Sequence, residues 1–132
     1  MLHEIKRLST EHQDFGFETT FAGTSYLRTI RALRVRGYAV HLFFLWAPTV
    51  GLALSRVKER VSGGGHNIPD ATVERRYTRS IQNFLRHYRE LADSWMLFDN
   101  SGTVPTVIAE ENQGKLGIID QGVYDSLLAL YG

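Results

Sequence analysis

The residues best suited to chemistry are arginines set around a glycine-rich loop. Arg56 and Arg60 stand four apart, Gly63, Gly64, Gly65 and His66 follow, and Arg75, Arg76 and Arg79 come soon after. Side chains four apart share one face of a helix. A guanidinium group stays charged and its planar fork donates paired hydrogen bonds to phosphate oxygens. Arginines on two helices hinged at glycines can therefore close over a phosphoanion and stabilise charge that develops during phosphoryl transfer. The plainer reading is a pair of exposed helices whose arginines pair with Glu59 and Glu74, and for any single arginine it is the stronger one. A connection holding three glycines tips the set toward a mobile lid over about residues 56–80, since an ordinary helix connection needs at most one. His66 is placed either to meet phosphate or to stand in solvent.

A second constellation is Glu18 and Thr20 in the run Phe17-Glu18-Thr19-Thr20. In a strand these two side chains share a face, and at its carboxyl tip a carboxylate beside a hydroxyl can bind substrate hydroxyls or orient a nucleophile. Spacing alone favours a solvated strand end and a turn residue. The five histidines, His3, His12, His41, His66 and His87, show no metal-ligand spacing, so no metal site is expected. His41 interrupts an apolar run and reads as a hydrogen-bonded core or interface histidine. Arg28, Arg31, Arg34 and Arg36 form a basic helix flank without interleaved aromatics, which reads as a solvated face and not as a nucleic-acid surface.

These residues must be positioned by one compact unit. The chain has 132 residues, no cysteine and a formal charge of +1, which implies a single domain over 1–132 without disulfides or thiolate metal sites. The charge balance gives no case for nucleic acid or membrane as partner. Met1 to Asp14 lacks the apolar core of a signal peptide and no later apolar run is long enough to span a bilayer, so a cytoplasmic protein is expected.

Along the chain, Leu2, Ile5 and Leu8 recur at helical spacing, and Phe15 to Thr20 reads as a short strand. Leu27, Ile30 and Leu33 line a helix capped by Thr24 or Ser25, with Gly37 as a left-handed stop. Tyr38 to Trp46 is almost continuously apolar, which predicts a central strand covered on both faces. A helix from Pro48–Thr49 to about Val61 follows, and Asp70 caps a long helix through Tyr77, Ile81, Phe84 or Leu85, Tyr88 and Leu91. Trp95 to Phe98 returns as a buried strand, Val104 to Ala109 and Leu116 to Ile119 read as edge strands, and Asp120 to Tyr131 closes the chain as a helix. Strands alternating with helices predict an α/β fold with a three-layer, mostly parallel sheet and a ligand site beyond the strands' carboxyl ends. Asp99, Asn100 and Ser101 lie at one such end.

The ordered set FETT, RVRGY, HLFFLW, RVKERV, GGHNIP, ERRYTRSIQNF and WMLFDNSG resembles the zeta-toxin-like P-loop kinases, in particular their small bacterial branch, over about Leu2 to Glu110. The resemblance implies an adenylate-kinase-like fold and, as cofactors, ATP and Mg2+, with phosphoryl transfer to a hydroxyl such as that of a nucleotide sugar. Under it, Glu18 and Thr20 match a Glu-x-Thr substrate-binding signature, Arg60 a lid arginine, and Arg75 or Arg76 a second arginine on the ATP phosphates. Arg56 and His66 belong to the same phosphate and lid region, and Asp99 and Asn100 lie in the vicinity of the nucleotide base.

The family's phosphate loop, GxxxxGK[ST], does not occur in these residues, and Met1 matches an interior position of the family's pattern. The loop-bearing strand would lie between the strands matching FGFETT and HLFFLW. An incomplete P-loop kinase fold lacking its first strands is therefore expected, inactive alone, that pairs as a homo-oligomer or needs a missing N-terminal fragment. The alternative is a non-enzymatic oligomerisation or regulatory binding module derived from such a kinase.

Overall fold

The structure, a computed structural model, describes residues 14–16, 19, 21–64 and 69–132. Its elements run α1 (Ser25–Val35), β1 (His41–Trp46), α2 (Val50–Ser62), α3 (Asp70–Asn83), β2 (Ser94–Asp99), β3 (Thr106–Asn112), β4 (Lys115–Ile118) and α4 (Gln121–Tyr131). α3 continues through a π-helical stretch, Phe84–Tyr88, into a last turn, Arg89–Leu91. Thr49 caps α2 by accepting from the Leu52 amide, and Asp120 caps α4 by accepting from the Val123 amide, the hydroxyl and carboxylate satisfying donors that a helix start leaves free. Gly37 ends α1 at φ +94°, as its position predicts. Asp70 is the first residue of α3 and Pro69 holds the cap position, so the acid acts on the helix dipole and not as a cap.

The sheet corrects two expectations. Strand order is β1-β2-β3-β4; β1 and β2 are parallel, whereas β2/β3 and β3/β4 are antiparallel. The sheet is thus mixed and mostly antiparallel, and β3 is an interior strand, not an edge. Chain length explains both points. A parallel return needs a crossover of a dozen residues or more, and the segment from Asn100 to Pro105 is too short for one. β3 and β4 are joined by Gln113 and Gly114, both at positive φ (51° and 80°), the conformation a two-residue hairpin turn requires.

The layering differs as well. β1 does not lie covered on both faces: Leu42 and Phe44 are buried, while Phe43 and Leu45 are 61% and 55% exposed. Leu42, Phe44, Trp95, Leu97, Ile108 and Ala109 share one core with Ile30 of α1, with Ile81, Phe84, Leu85 and Tyr88 along α3 and its continuation, and with Tyr124 and Leu127 of α4. The π-helical stretch buries Phe84, Leu85 and Tyr88 together, so a choice between Phe84 and Leu85 does not arise: the widened turn aims both inward.

The chain ahead of α1 is fixed by this core. Phe21 is buried at φ 56° and its ring lies 4.6 Å from that of Tyr88 and 5.9 Å from that of Phe44. Asn83 donates to the Phe21 carbonyl at 2.8 Å and the Tyr88 hydroxyl to the Gly23 carbonyl at 2.7 Å. A non-glycine residue at positive φ is a strained backbone held by its surroundings, and here two side-chain donors and a ring cluster supply the hold.

Candidate functional site

A cavity of about 1010 Å³ runs along the outer side of β1. Every residue from Tyr38 to Ala47 lines it. Phe15, Gly16, Thr19 and Phe21 face it from the segment before α1, and Ala53, Arg56, Val57 and Arg60 of α2 with Val73, Arg76, Tyr77 and Ser80 of α3 face it from the other side. Its floor is apolar and aromatic. Among the described residues Arg56, Arg60 and Arg76 line the cavity and no aspartate or glutamate does, and Arg56 reaches the end of β2 through the Asn100 carbonyl.

Geometry fixes that end. Asn100 follows β2, donates its amide to the Trp46 carbonyl at 2.8 Å and lines the cavity. Its own carbonyl accepts from Arg56 Nη2 at 3.1 Å, which ties α2 to the sheet and orients the guanidinium. From α3, the Tyr77 hydroxyl donates to the Ala47 carbonyl at 2.8 Å. Burial, and then Tyr131, raise the Tyr77 pKa above the ordinary tyrosine value, against a smaller lowering by Trp46; the phenol therefore stays a neutral donor. Trp46 Nε1 is buried and lies near the Tyr77 hydroxyl, a contact that lowers the Tyr77 pKa but falls outside strict hydrogen-bond geometry.

Arg56, Arg60 and Arg76 all line the cavity, whereas Arg75 is not among its described lining residues. Asn100 joins them. Asp99 does not: its Oδ1 accepts from the Ser101 amide at 2.9 Å, turning the chain after β2. Glu18, Thr20 and His66 lie outside the described residues. His41 hydrogen-bonds to Ser94 as expected of a partnered histidine, but it is exposed on β1 and not in the core.

Sequence reasoning missed Tyr77 and Trp46. Both fit apolar periodicity, and the signal that marks them is their placement, a tyrosine next to Arg76 and an indole at a strand's carboxyl end. Among the described residues no group of three or more histidine, cysteine, aspartate or glutamate side chains is set to hold a metal, and no helix is long and apolar enough to cross a membrane.

Comparison with known proteins agrees with the motif order. The family model described as Zeta toxin matches residues 4–123. A Haemophilus influenzae protein of uncharacterised function is 34% identical over 67 residues, which is 51% of this chain and 48% of that protein. The alignment thus spans about half the length of that curated relative. No solved structure matches significantly.

Proposed function

Because the chain belongs to the zeta toxin family, we propose that the cation-lined end of the cavity receives the phosphates of a nucleotide, and that the activity it serves is ATP-dependent phosphoryl transfer to a hydroxyl of a small molecule such as a nucleotide sugar. The observation that carries this reading is that Arg56, Arg60 and Arg76 line one cavity, with no carboxylate among its described lining residues. Arginine forks there bind phosphate oxygens and stabilise the charge that spreads over a transferring phosphoryl group. The set suits a polyphosphate. It does not suit a resident magnesium ion, since the described residues offer no oxygen cage; magnesium would come with the nucleotide.

In this reading residues 56–80 act as a lid. None of the thirteen residues of α2 is buried, and its link to α3 begins with Gly63 and with Gly64 at φ +96°. Little apolar area therefore holds α2 down, and few contacts must break for it to swing. Glu18 and Thr20 take the acceptor hydroxyl in the substrate role that the resemblance gives them. Asn100 lies beside the base, Arg75 approaches the phosphates when the lid closes, and His66 adds a donor there.

These 132 residues contain no GxxxxGK[ST] sequence. Without amides wrapped round the phosphates they hold ATP weakly and transfer no phosphoryl group unaided. Calorimetric titration with magnesium-ATP tests the reading. Weak binding is expected, reduced about 10-fold or more by Arg60→Ala, in line with about 1.5–3 kcal/mol for a hydrogen bond to a charged group. Absence of binding, or binding indifferent to Arg60→Ala, contradicts it. A second reading, a non-enzymatic binding module, is favoured by the outer edge of β1, which among the described residues pairs with no strand and faces a cavity.

A further inference from the structure

α2 and α3 present cavity-lining residues with one and the same spacing: Ala53, Arg56, Val57 and Arg60 on α2, and Val73, Arg76, Tyr77 and Ser80 on α3. Steps of three and four residues mark a single face of a helix. Arg60 and Arg76 thus come to one cavity from two helices, and the setting of one helix against the other decides how far apart their guanidinium groups stand.

The two helices are anchored differently. α3 buries Val73 and Ile81, one turn to either side of Tyr77, and its continuation buries Phe84, Leu85 and Tyr88. α2 buries no residue, so burial does not fix where its face sits. Two hydrogen bonds fix it instead. The Tyr77 hydroxyl donates to the Ala47 carbonyl at 2.8 Å, three residues ahead of the start of α2. Arg56, at the middle of α2, donates from Nη2 to the Asn100 carbonyl at 3.1 Å, and the Asn100 amide is itself bound to the Trp46 carbonyl at 2.8 Å. Both acceptors are main-chain carbonyls one residue past the ends of β1 and β2. A carbonyl at a strand end neither titrates nor changes rotamer, so it serves as a fixed point. Losing either bond costs little net stability, because water takes its place at a half-exposed site. It does release a helix that no buried side chain restrains.

We propose that Tyr77 and Arg56 are positioning residues, two clasps that hold α2 in the setting where Arg60 and Arg76 grip one polyphosphate, so that the order of α2 sets the affinity for the anion. Resting on the proposed phosphate site, this divides the arginines by role: Arg60 and Arg76, both exposed and lining the cavity, receive the anion, while Arg56 commits a guanidinium N–H to the main chain. Apparent affinity falls with the fraction of molecules whose α2 is in place. An uncharged hydroxyl on Tyr77 therefore acts on anion binding through a carbonyl that lies before α2.

The test combines tripolyphosphate titration of the full chain with amide hydrogen exchange of the free protein, both followed by nuclear magnetic resonance. Tyr77→Phe removes no charge. It is expected to weaken tripolyphosphate binding about 5-fold and to speed exchange across α2 by a similar factor, the scale of one net hydrogen bond, with the amides of β2 and β3 unchanged. Arg60→Ala should weaken binding without speeding exchange in α2. In the Arg60→Ala chain, Tyr77→Phe should weaken binding by less than about 2-fold, because a residue that acts through another is not additive with it. Should Tyr77→Phe lose the circular dichroism of the parent, Arg56→Met, which keeps the stem and removes the fork, takes its place with the same acceleration expected in α2. Unchanged exchange in α2 overturns the proposal, and so does an undiminished effect of Tyr77→Phe in the Arg60→Ala chain. Failure of the phosphate site is read separately: no tripolyphosphate binding by the parent chain overturns that site and the positioning role with it, whereas binding that Tyr77→Phe leaves unchanged overturns the positioning role alone.

Discussion

The two sides of the sheet are built to different standards of completion. On the side of β2 and β3, both strands are paired along both edges and share a core with α4, with Trp95, Leu97, Ile108, Ala109 and Leu127 each no more than 2% exposed. On the side of β1, the outer edge faces a cavity, Phe43 and Leu45 stand in solvent, and α2 buries no residue. The first side carries the stability and the second the reactive groups. Binding surfaces are drawn from the less stable end of a structure because they must open or be filled.

The largest expected effect tests this asymmetry. Trp95→Ala removes a buried indole packed edge-on to Phe84 at 5.8 Å, with the Arg89 guanidinium 5.7 Å from its ring, and should cost about 3–5 kcal/mol in denaturant unfolding. Phe43→Ala, one strand away and 61% exposed, should cost less than about 1 kcal/mol. Equal losses would erase the distinction between the two sides.

The seam between them is held by Asp93. Its Oδ2 accepts from the Val40 amide at 2.7 Å, pinning the chain that enters β1 to the chain that enters β2. Asp93→Ala should cost about 1–3 kcal/mol, the range for stranding a partly buried donor, and hydrogen exchange at Val40 should accelerate with it. Tyr88→Phe removes the bond to the Gly23 carbonyl and should cost about 1 kcal/mol. Burial raises the Tyr88 pKa above the ordinary 10.0. A raised pKa in the fold means a contribution present in full below about pH 10 and lost as pH climbs through the folded value. The phenylalanine variant should therefore lose stability less steeply above that pH than the parent. The smallest effect belongs to Arg34→Ala. Its ion pair with Asp93 is 3.4 Å long and exposed, and its loss should change stability by no more than about 0.5 kcal/mol.

Much of this arrangement is legible in the residues, and the failures have physical causes. Helix positions followed from apolar spacing and from Gly37, because local periodicity and a left-handed stop are local facts. The arginines marked out by two helices joined at glycines include Arg56, Arg60 and Arg76, which line one cavity. Sheet direction did not follow from alternation of strands and helices. It depended on the six residues between β2 and β3 and on the Gln113-Gly114 turn, which forbid a crossover. The continuous apolar run at β1 predicted cover on both faces, yet hydrophobic patterning reports what a strand can bury and not whether a partner is at hand. Arg75 and Asp99 show the limit of reading a site from neighbours in sequence: one faces solvent, and the other is committed to a turn.

The central claim, that phosphate is received where α2 and α3 meet the carboxyl ends of β1 and β2, is tested most directly by nuclear magnetic resonance titration with tripolyphosphate, observing arginine Nε–H and tryptophan indole signals. Arg56, Arg60, Arg76 and the Trp46 indole should shift together with one affinity, while Arg28 and Arg31 on the exposed flank of α1 stay in place. Shifts confined to Arg28 and Arg31, or none at all, would contradict the account.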